Sequence, residues 1–106
     1  MKNSELRLSH RSLQILRMFL DQPLEPLSGS DISKKTGMLS GTLYPILLRF
    51  ERAGWLESQW ELLNPKEEGR PRKRLYKITG LGHNKAKEAL LSLGSYEGEW
   101  RPVWNT

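Results

Sequence analysis

The chain has 106 residues, no cysteine and a formal net charge of +5 at neutral pH. That length fits one domain with a single modest core, and the lack of cysteine excludes a disulfide framework, thiolate catalysis and thiolate metal ligation. No apolar run reaches the ~18 residues of a membrane span, and residues 1–12 lack a signal peptide's apolar stretch, so we expect a cytoplasmic protein.

The chain's first part is predicted to form two helices. Residues 9–22 have apolar side chains at helical spacing, and Pro23 ends that helix. A short helix is predicted over residues 28–36, with a serine as its N-cap and Gly37 as its C-terminal stop. The segment that follows these two helices has the most regular helical spacing of apolar residues in the chain.

That segment, residues 40–53, is predicted to be the third helix. Proline lacks an N–H and is tolerated best in a helix's first turn, so Pro45 predicts a start at Ser40 or Gly41. Its apolar stripe consists of Leu43, Ile46, Leu47 and Phe50.

After the third helix the pattern changes to that of strands. Residues 55–63 and 74–78 have partial apolar alternation, and the proline and glycine between them predict a connecting loop. We call this predicted β-hairpin, residues 55–78, the wing. A last helix is predicted over residues 79–93, with Thr79 as N-cap and Gly94 as its end.

The predicted order is α-α-α-β-β-α, a mainly α fold with one β-hairpin, in the α+β class. A short turn between the second and third helices, followed by a hairpin, is typical of a winged helix-turn-helix. We predict that residues 1–94 form this DNA-binding domain with its dimerisation helices, and that residues 95–106 form a C-terminal aromatic tail.

The positive charge is concentrated in the wing. Residues 66–77 contain six basic and two acidic residues, whereas the rest of the chain has 11 basic and 10 acidic residues. Such a concentration is expected of a phosphate-binding element, although a solvated loop that only aids solubility would have the same composition.

Two groups of residues are therefore candidates for contacting DNA. Hydroxyls and a glycine at the start of the third helix suit phosphates and base edges, although serine and threonine there can also simply cap the helix. Arginines that flank Pro71 are held extended, which lowers the entropy cost of phosphate contact. The candidates are Ser40, Gly41, Thr42, Tyr44, Lys34, Lys35, Arg70, Arg72 and Lys73.

Two motifs in this order, GTLYP at residues 41–45 and GRPRK at residues 69–73, make the chain resemble the PadR family of bacterial transcriptional regulators. The resemblance extends from about Leu13 to Leu93. It implies a homodimeric winged-helix repressor that binds a palindromic operator, with Tyr44 and the wing arginines near DNA phosphates.

The first and last helices have more apolar surface than one core needs, which predicts a dimer interface. The candidates for this interface are Ile15, Phe19, Leu90 and Leu91. In the tail, we expect Trp100 and Trp104 to pack on the domain or on a second subunit, and the family resemblance implies the alternative that they hold a flat aromatic effector between the protomers.

The residues give no sign of catalysis. His10 and His83 are the only histidines, and neither has a second ligand at metal spacing. We predict that the protein is not an enzyme and needs no metal or cofactor. Two alternatives to a repressor remain: a winged helix that binds an acidic protein partner, and a sensor of aromatic molecules that acts through the tail tryptophans.

Overall fold

The computed structural model describes residues 8–97, with side chains through residue 92. The elements, in chain order, are α1 (His10–Asp21), β1 (Leu27–Ser28), α2 (Gly29–Thr36), α3 (Ser40–Arg52), β2 (Leu56–Trp60), α4 (Pro65–Glu68), β3 (Arg74–Ile78) and α5 (Gly80–Glu97). The predicted winged-helix order is confirmed. Two short elements were not predicted, the two-residue β1 and the single-turn helix α4 in the loop of the wing.

The three strands form an antiparallel sheet in the order β1-β3-β2. In the wing, β2 and β3 pair in a register that places Leu56 opposite Ile78 and Trp60 opposite Arg74. The strand β1 covers the other edge of β3. The wing is therefore attached to the helices at its base.

A capping box begins α2. The Ser28 hydroxyl accepts a hydrogen bond from the Asp31 N–H at 3.0 Å, and the Asp31 carboxylate accepts one from the Ser28 N–H at 3.1 Å. This reciprocal pair satisfies donors that a helix start leaves without partners. The predicted end is also confirmed, because Gly37 adopts the left-handed conformation, with φ 77°.

The predicted start of α3 at Ser40 is confirmed, but the reasoning from Pro45 was wrong. Pro45 is the sixth residue of α3, inside the helix rather than in its first turn. It has no N–H for the carbonyl four residues earlier, that of Gly41. Because Gly41 and Pro45 are both exposed, water can satisfy that carbonyl.

The base of the wing is joined to α5 at a tight contact. The Thr79 hydroxyl caps α5 by accepting the Gly82 N–H at 2.9 Å, and it donates to the Gly54 carbonyl at 2.6 Å. A Cβ at Gly82 would lie 2.7 Å from the backbone carbonyl carbon of Trp55. Only glycine lets the start of α5 approach the backbone so closely.

The helix α5 does not end at Gly94, as the sequence predicted, but continues to Glu97. A glycine inside a helix costs about 1 kcal/mol and does not forbid the helix. The predicted boundary between residues 94 and 95 therefore falls inside α5. Trp100 and Trp104 lie outside the described residues.

The core lies where α1, α2, α3 and α5 meet the sheet. It contains Ile15, Leu16, Phe19, Ile32, Met38, Leu43, Ile46, Leu47, Phe50, Trp55, Leu56, Tyr76, Ile78 and Ala86. Two predicted dimer residues, Ile15 and Phe19, belong to this core and are 0% exposed. That prediction was wrong for both, because the apolar stripe of α1 packs into the protomer's own interior.

Candidate nucleic-acid interface

The start of α3 is exposed and has no side-chain cap. Its N-cap residue is Leu39, which makes no side-chain hydrogen bond to the helix. The simpler of the two predicted roles was that Ser40 or Thr42 caps the helix, and the structure contains no such cap. The first N–H groups of a helix have no partner inside it, and their dipoles favour an anion. Ser40 and Gly41 are exposed beside them, and Thr42 is half-buried.

Tyr44 projects from α3 onto the first residue of α2. A Cβ built at Gly29 would overlap the Tyr44 hydroxyl and lie 2.6 Å from Cζ of its ring. Gly29 is thus the residue that allows the phenol end of the ring to lie against α2, and Tyr44 still keeps 44% of its surface exposed. Sequence reasoning missed this role of Gly29, since nothing local links it to a residue 15 positions later.

Positive charges from the wing and from α2 act on the carboxylate that caps the start of α2, that of Asp31. The pKa of Asp31 is lowered, first by the hydrogen bond from the Ser28 N–H and further by the charges of Lys73 and Lys34. Tyr44 therefore contacts α2 at Gly29, and the charge of Lys73 acts on Asp31 two residues later, while Lys34 acts on Asp31 from the last turn of the same helix. Lys35, the neighbouring candidate, is exposed to solvent at the end of α2.

Arg70 is bound inside the wing. Its guanidinium donates to both carboxylate oxygens of Glu61, at 2.8 and 3.2 Å, and to the Pro71 carbonyl at 3.1 Å. Glu61 also accepts the backbone N–H of Lys73 at 2.8 Å. The hydrogen bond from Arg70, followed by that from Lys73, lowers the pKa of Glu61. The sequence predicted a free arginine here, whereas the structure uses it to join the two arms of the wing.

Arg72 and Lys73 are the cations of the GRPRK motif whose charges have no acidic partner in an ion pair within residues 8–92. Arg72 is exposed, and its Nε donates to the Leu63 carbonyl at 2.9 Å. That bond fixes the guanidinium against the arm of the wing without neutralising it. Lys73 is held by its backbone bond to Glu61, with its side chain half-buried.

A second network joins the wing to α3. The Ser58 hydroxyl donates to Glu51 Oε2 at 2.6 Å and accepts from Arg74 Nε at 3.0 Å. The Arg74 guanidinium also lies 3.8 Å from Glu51 and 5.1 Å above the Trp60 ring centroid. Arg74 is thus a structural cation. The sequence signal that could have found this contact is a tryptophan and an arginine on the two predicted strands of one hairpin, which the observed register places opposite each other.

The predicted dimer residues of α5 have a different environment from those of α1. Leu90 is half-buried, and Leu91 is 58% exposed. Leu81, at the start of the same helix, is also exposed. These apolar side chains remain available for a contact outside the protomer.

The described part of the chain has neither a cluster of metal-binding side chains nor a membrane-spanning helix. Residues 8–97 contain no group of three or more histidine, aspartate or glutamate side chains that could hold a metal ion. Over the same residues, none of the helices combines the length and hydropathy needed to cross a membrane.

Solved structures of transcriptional regulators share this fold. A transcriptional regulator homologue from Pyrococcus horikoshii OT3 is 22% identical, with a TM-score of 0.67 over 80% of this chain and 77% of that one. A PadR-like transcription factor from Bacteroides fragilis is 26% identical, with a TM-score of 0.65 over 82% and 85% of the two chains. MepR, a regulator of a Staphylococcus aureus multidrug efflux pump, is 19% identical, with a TM-score of 0.62 over 81% and 57%.

No curated protein matches this sequence significantly. The model of the transcriptional regulator PadR-like family, however, matches residues 22–88, which is more than half of the chain. The protein is accordingly a DNA-binding winged-helix transcriptional regulator and not an enzyme, as the sequence predicted. The chain belongs to the PadR-like family of transcriptional regulators.

Proposed function

We propose that the protein is a cytoplasmic, homodimeric repressor that binds a palindromic operator in double-stranded DNA. The start of α3 enters the major groove, while the wing lies along the phosphates. The observation that carries this proposal is the convergence at the start of α2. There Tyr44 of α3 lies on Gly29, and Lys73 of the wing acts on Asp31.

The contacts divide by chemistry. Ser40 and Thr42 offer hydroxyls to phosphates and base edges, and Ser40 and Gly41 offer backbone N–H groups that no side chain caps, whereas the Thr42 N–H donates to the Leu39 carbonyl. Arg72 and Lys73, with Lys34 and Lys35 on α2, supply the charge that any duplex attracts. Arg70 does not contact DNA in this proposal. Its hydrogen bond to Glu61 holds the segment of the wing from which Arg72 projects.

The dimer is proposed on α5, with Leu90 and Leu91 in the interface. The neighbouring leucines are half-buried and exposed, so a second copy of the chain can cover both, and two winged helices double the number of phosphate contacts. An aromatic effector that relieves repression through Trp100 and Trp104 stays a prediction from the sequence. Quenching of tryptophan fluorescence by phenols or aromatic cations would test it.

Selection from a pool of random duplexes tests the proposal. We expect a palindromic consensus whose half-sites lie about one or two helical turns apart, as two symmetric α3 helices require. The variants Thr42→Ala and Tyr44→Ala should weaken binding to the consensus more than binding to random duplex. Equal weakening of both would show that α3 does not read sequence. A pool that yields no consensus, together with binding to an acidic protein, would favour the protein-interaction alternative.

A further inference from the structure

The solvent-facing side of α3 carries an apolar side chain at its centre. Leu43, Ile46, Leu47 and Phe50 turn inward. The opposite side presents Gly41, Pro45, Leu48 and Arg52. Within that set Leu48 is 45% exposed, two helical turns after Gly41, and nothing lies within 4 Å of a Cβ built at Gly41. A leucine therefore stands on the same face of α3 as Gly41, two turns beyond the start of the helix that we propose enters the groove.

This surface limits how bases can be read there. Gly41 has no side chain, and those of Pro45 and Leu48 are hydrocarbon, so they offer no hydrogen-bond donor or acceptor. The C5 methyl of thymine is the apolar group that base pairs display in the major groove. An apolar side chain facing the groove floor can distinguish thymine from cytosine through that methyl.

The charges around Leu48 favour a nucleic acid over an apolar protein surface as its partner. Arg49 and Arg52, both exposed, follow it on the last turn of α3. They add to the cations on α2 and the wing. A hydrocarbon centre bordered by positive charge complements a groove that has a methyl on its floor and phosphates on its edges.

We propose that Leu48 is a specificity-determining residue that selects thymine in each operator half-site by contacting its C5 methyl group. This inference rests on the proposed function and adds the identity of one base. Removing a buried methyl group costs about a fourfold change in affinity.

Replacing thymine by uracil tests the contact, because it removes only the methyl and keeps the base pair. The operator selected by the wild-type protein is remade with deoxyuridine at one thymine at a time, symmetrically in both half-sites. At one position per half-site we expect wild-type affinity to fall by about fourfold for each methyl group removed. In Leu48→Ala the same substitution should change affinity by less than about 1.5-fold.

The matched control is Leu24→Ala, which truncates a leucine that is 83% exposed between α1 and β1. It should keep the full uracil effect. Alanine is a strong helix former, so Leu48→Ala should retain α3, and a thermal unfolding curve checks this. A second variant, Leu48→Gln, should shift the selected base at that position toward adenine, since glutamine pairs with adenine's N6 and N7.

The failures are distinguishable. Wild-type binding that tolerates uracil at every thymine would overturn the role of Leu48 and leave the proposed function standing. A uracil effect that is as large in Leu48→Ala as in the wild type would assign the methyl to another residue and likewise overturn the inference. Absence of any selected operator would overturn both the inference and the proposed function.

Discussion

The start of α3 and the wing are both exposed and both proposed to meet DNA, but different forces hold them in place. The start of α3 is positioned by packing, with an inward apolar stripe and the Tyr44 ring seated on Gly29. The wing packs into the core only at its base, and its basic segment, residues 69–73, is held by charge, with Glu61 joining the Arg70 side chain to the Lys73 backbone.

This difference separates the basic residues of the wing by role. Arg70 and Arg74 are engaged by Glu61 and Glu51, and they organise the hairpin. Arg72 and Lys73 keep their charge available. The number of basic residues in this part of the sequence is therefore larger than the number that can bind phosphates. Some of these residues stabilise the hairpin, and the others project from it toward solvent.

The contact between α3 and α2 can be disrupted at Gly29. In Gly29→Ala the new methyl group would overlap the Tyr44 ring, and we expect a loss of about 1–3 kcal/mol in the free energy of unfolding. Operator affinity should fall as well, since Tyr44 would be displaced. Urea unfolding measures the first effect, and fluorescence anisotropy with labelled duplex measures the second.

The matched control for this substitution is Gly41→Ala, in the first turn of α3. A Cβ there meets open space, so the protein should gain about 0.4–1 kcal/mol in stability. If Gly29→Ala is as stable as Gly41→Ala, the packing of Tyr44 on α2 does not hold α3 in place.

The two roles of charge in the wing are separated by Arg70→Ala and Arg72→Ala. We expect Arg70→Ala to lower stability only slightly, because its ion pair is partly exposed to solvent, and to loosen the arm of the wing that Glu61 holds. We expect Arg72→Ala to leave stability within about 0.5 kcal/mol and to weaken binding to every duplex. Thermal unfolding and anisotropy on the same samples compare the two. The opposite assignment, with Arg72 stabilising and Arg70 binding, would contradict the division of roles.

A smaller effect concerns the loss of stability at acidic pH. The pKa of Asp31 is lowered in the folded protein, mainly by the Ser28 N–H, so the ionised carboxylate stabilises the folded state. That contribution is complete above the unfolded pKa, near pH 4, and is lost as the pH falls through the lower, folded value. Asp31→Asn should therefore lose less stability than the wild type between about pH 4 and pH 2. If urea unfolding shows that the wild type and Asp31→Asn lose the same stability over this pH range, the ionised Asp31 carboxylate contributes nothing to the folded state.

The elements set by local chemistry were predictable from the sequence. The end of α2 at Gly37 and the bounds of β3 follow from glycine and apolar periodicity, whereas the start of α3 was predicted at the right residue from a proline that lies inside the helix. Thr79 as the cap of α5 belongs with them, since its partner is only three residues away.

The failures involve partners that are distant in sequence. Ile15 and Phe19 have the apolar periodicity of either a core or an interface, and only the packing of α1 on the other elements decides between them. Arg70 looked free because its partner, Glu61, lies on the opposite arm of the wing. The role of Gly29 could not be predicted, because it depends on the contact with Tyr44 from another helix.

The wing cations and the start of α3 are proposed to bind one duplex together, and the salt dependence of operator binding tests this. We expect log affinity to fall linearly with log salt concentration for the wild type. In the double variant Arg72→Ala, Lys73→Ala the slope should shrink by about 0.9 for each phosphate that the protein no longer neutralises. An unchanged slope, or a wild-type protein that does not bind duplex DNA at low salt, would contradict this joint binding.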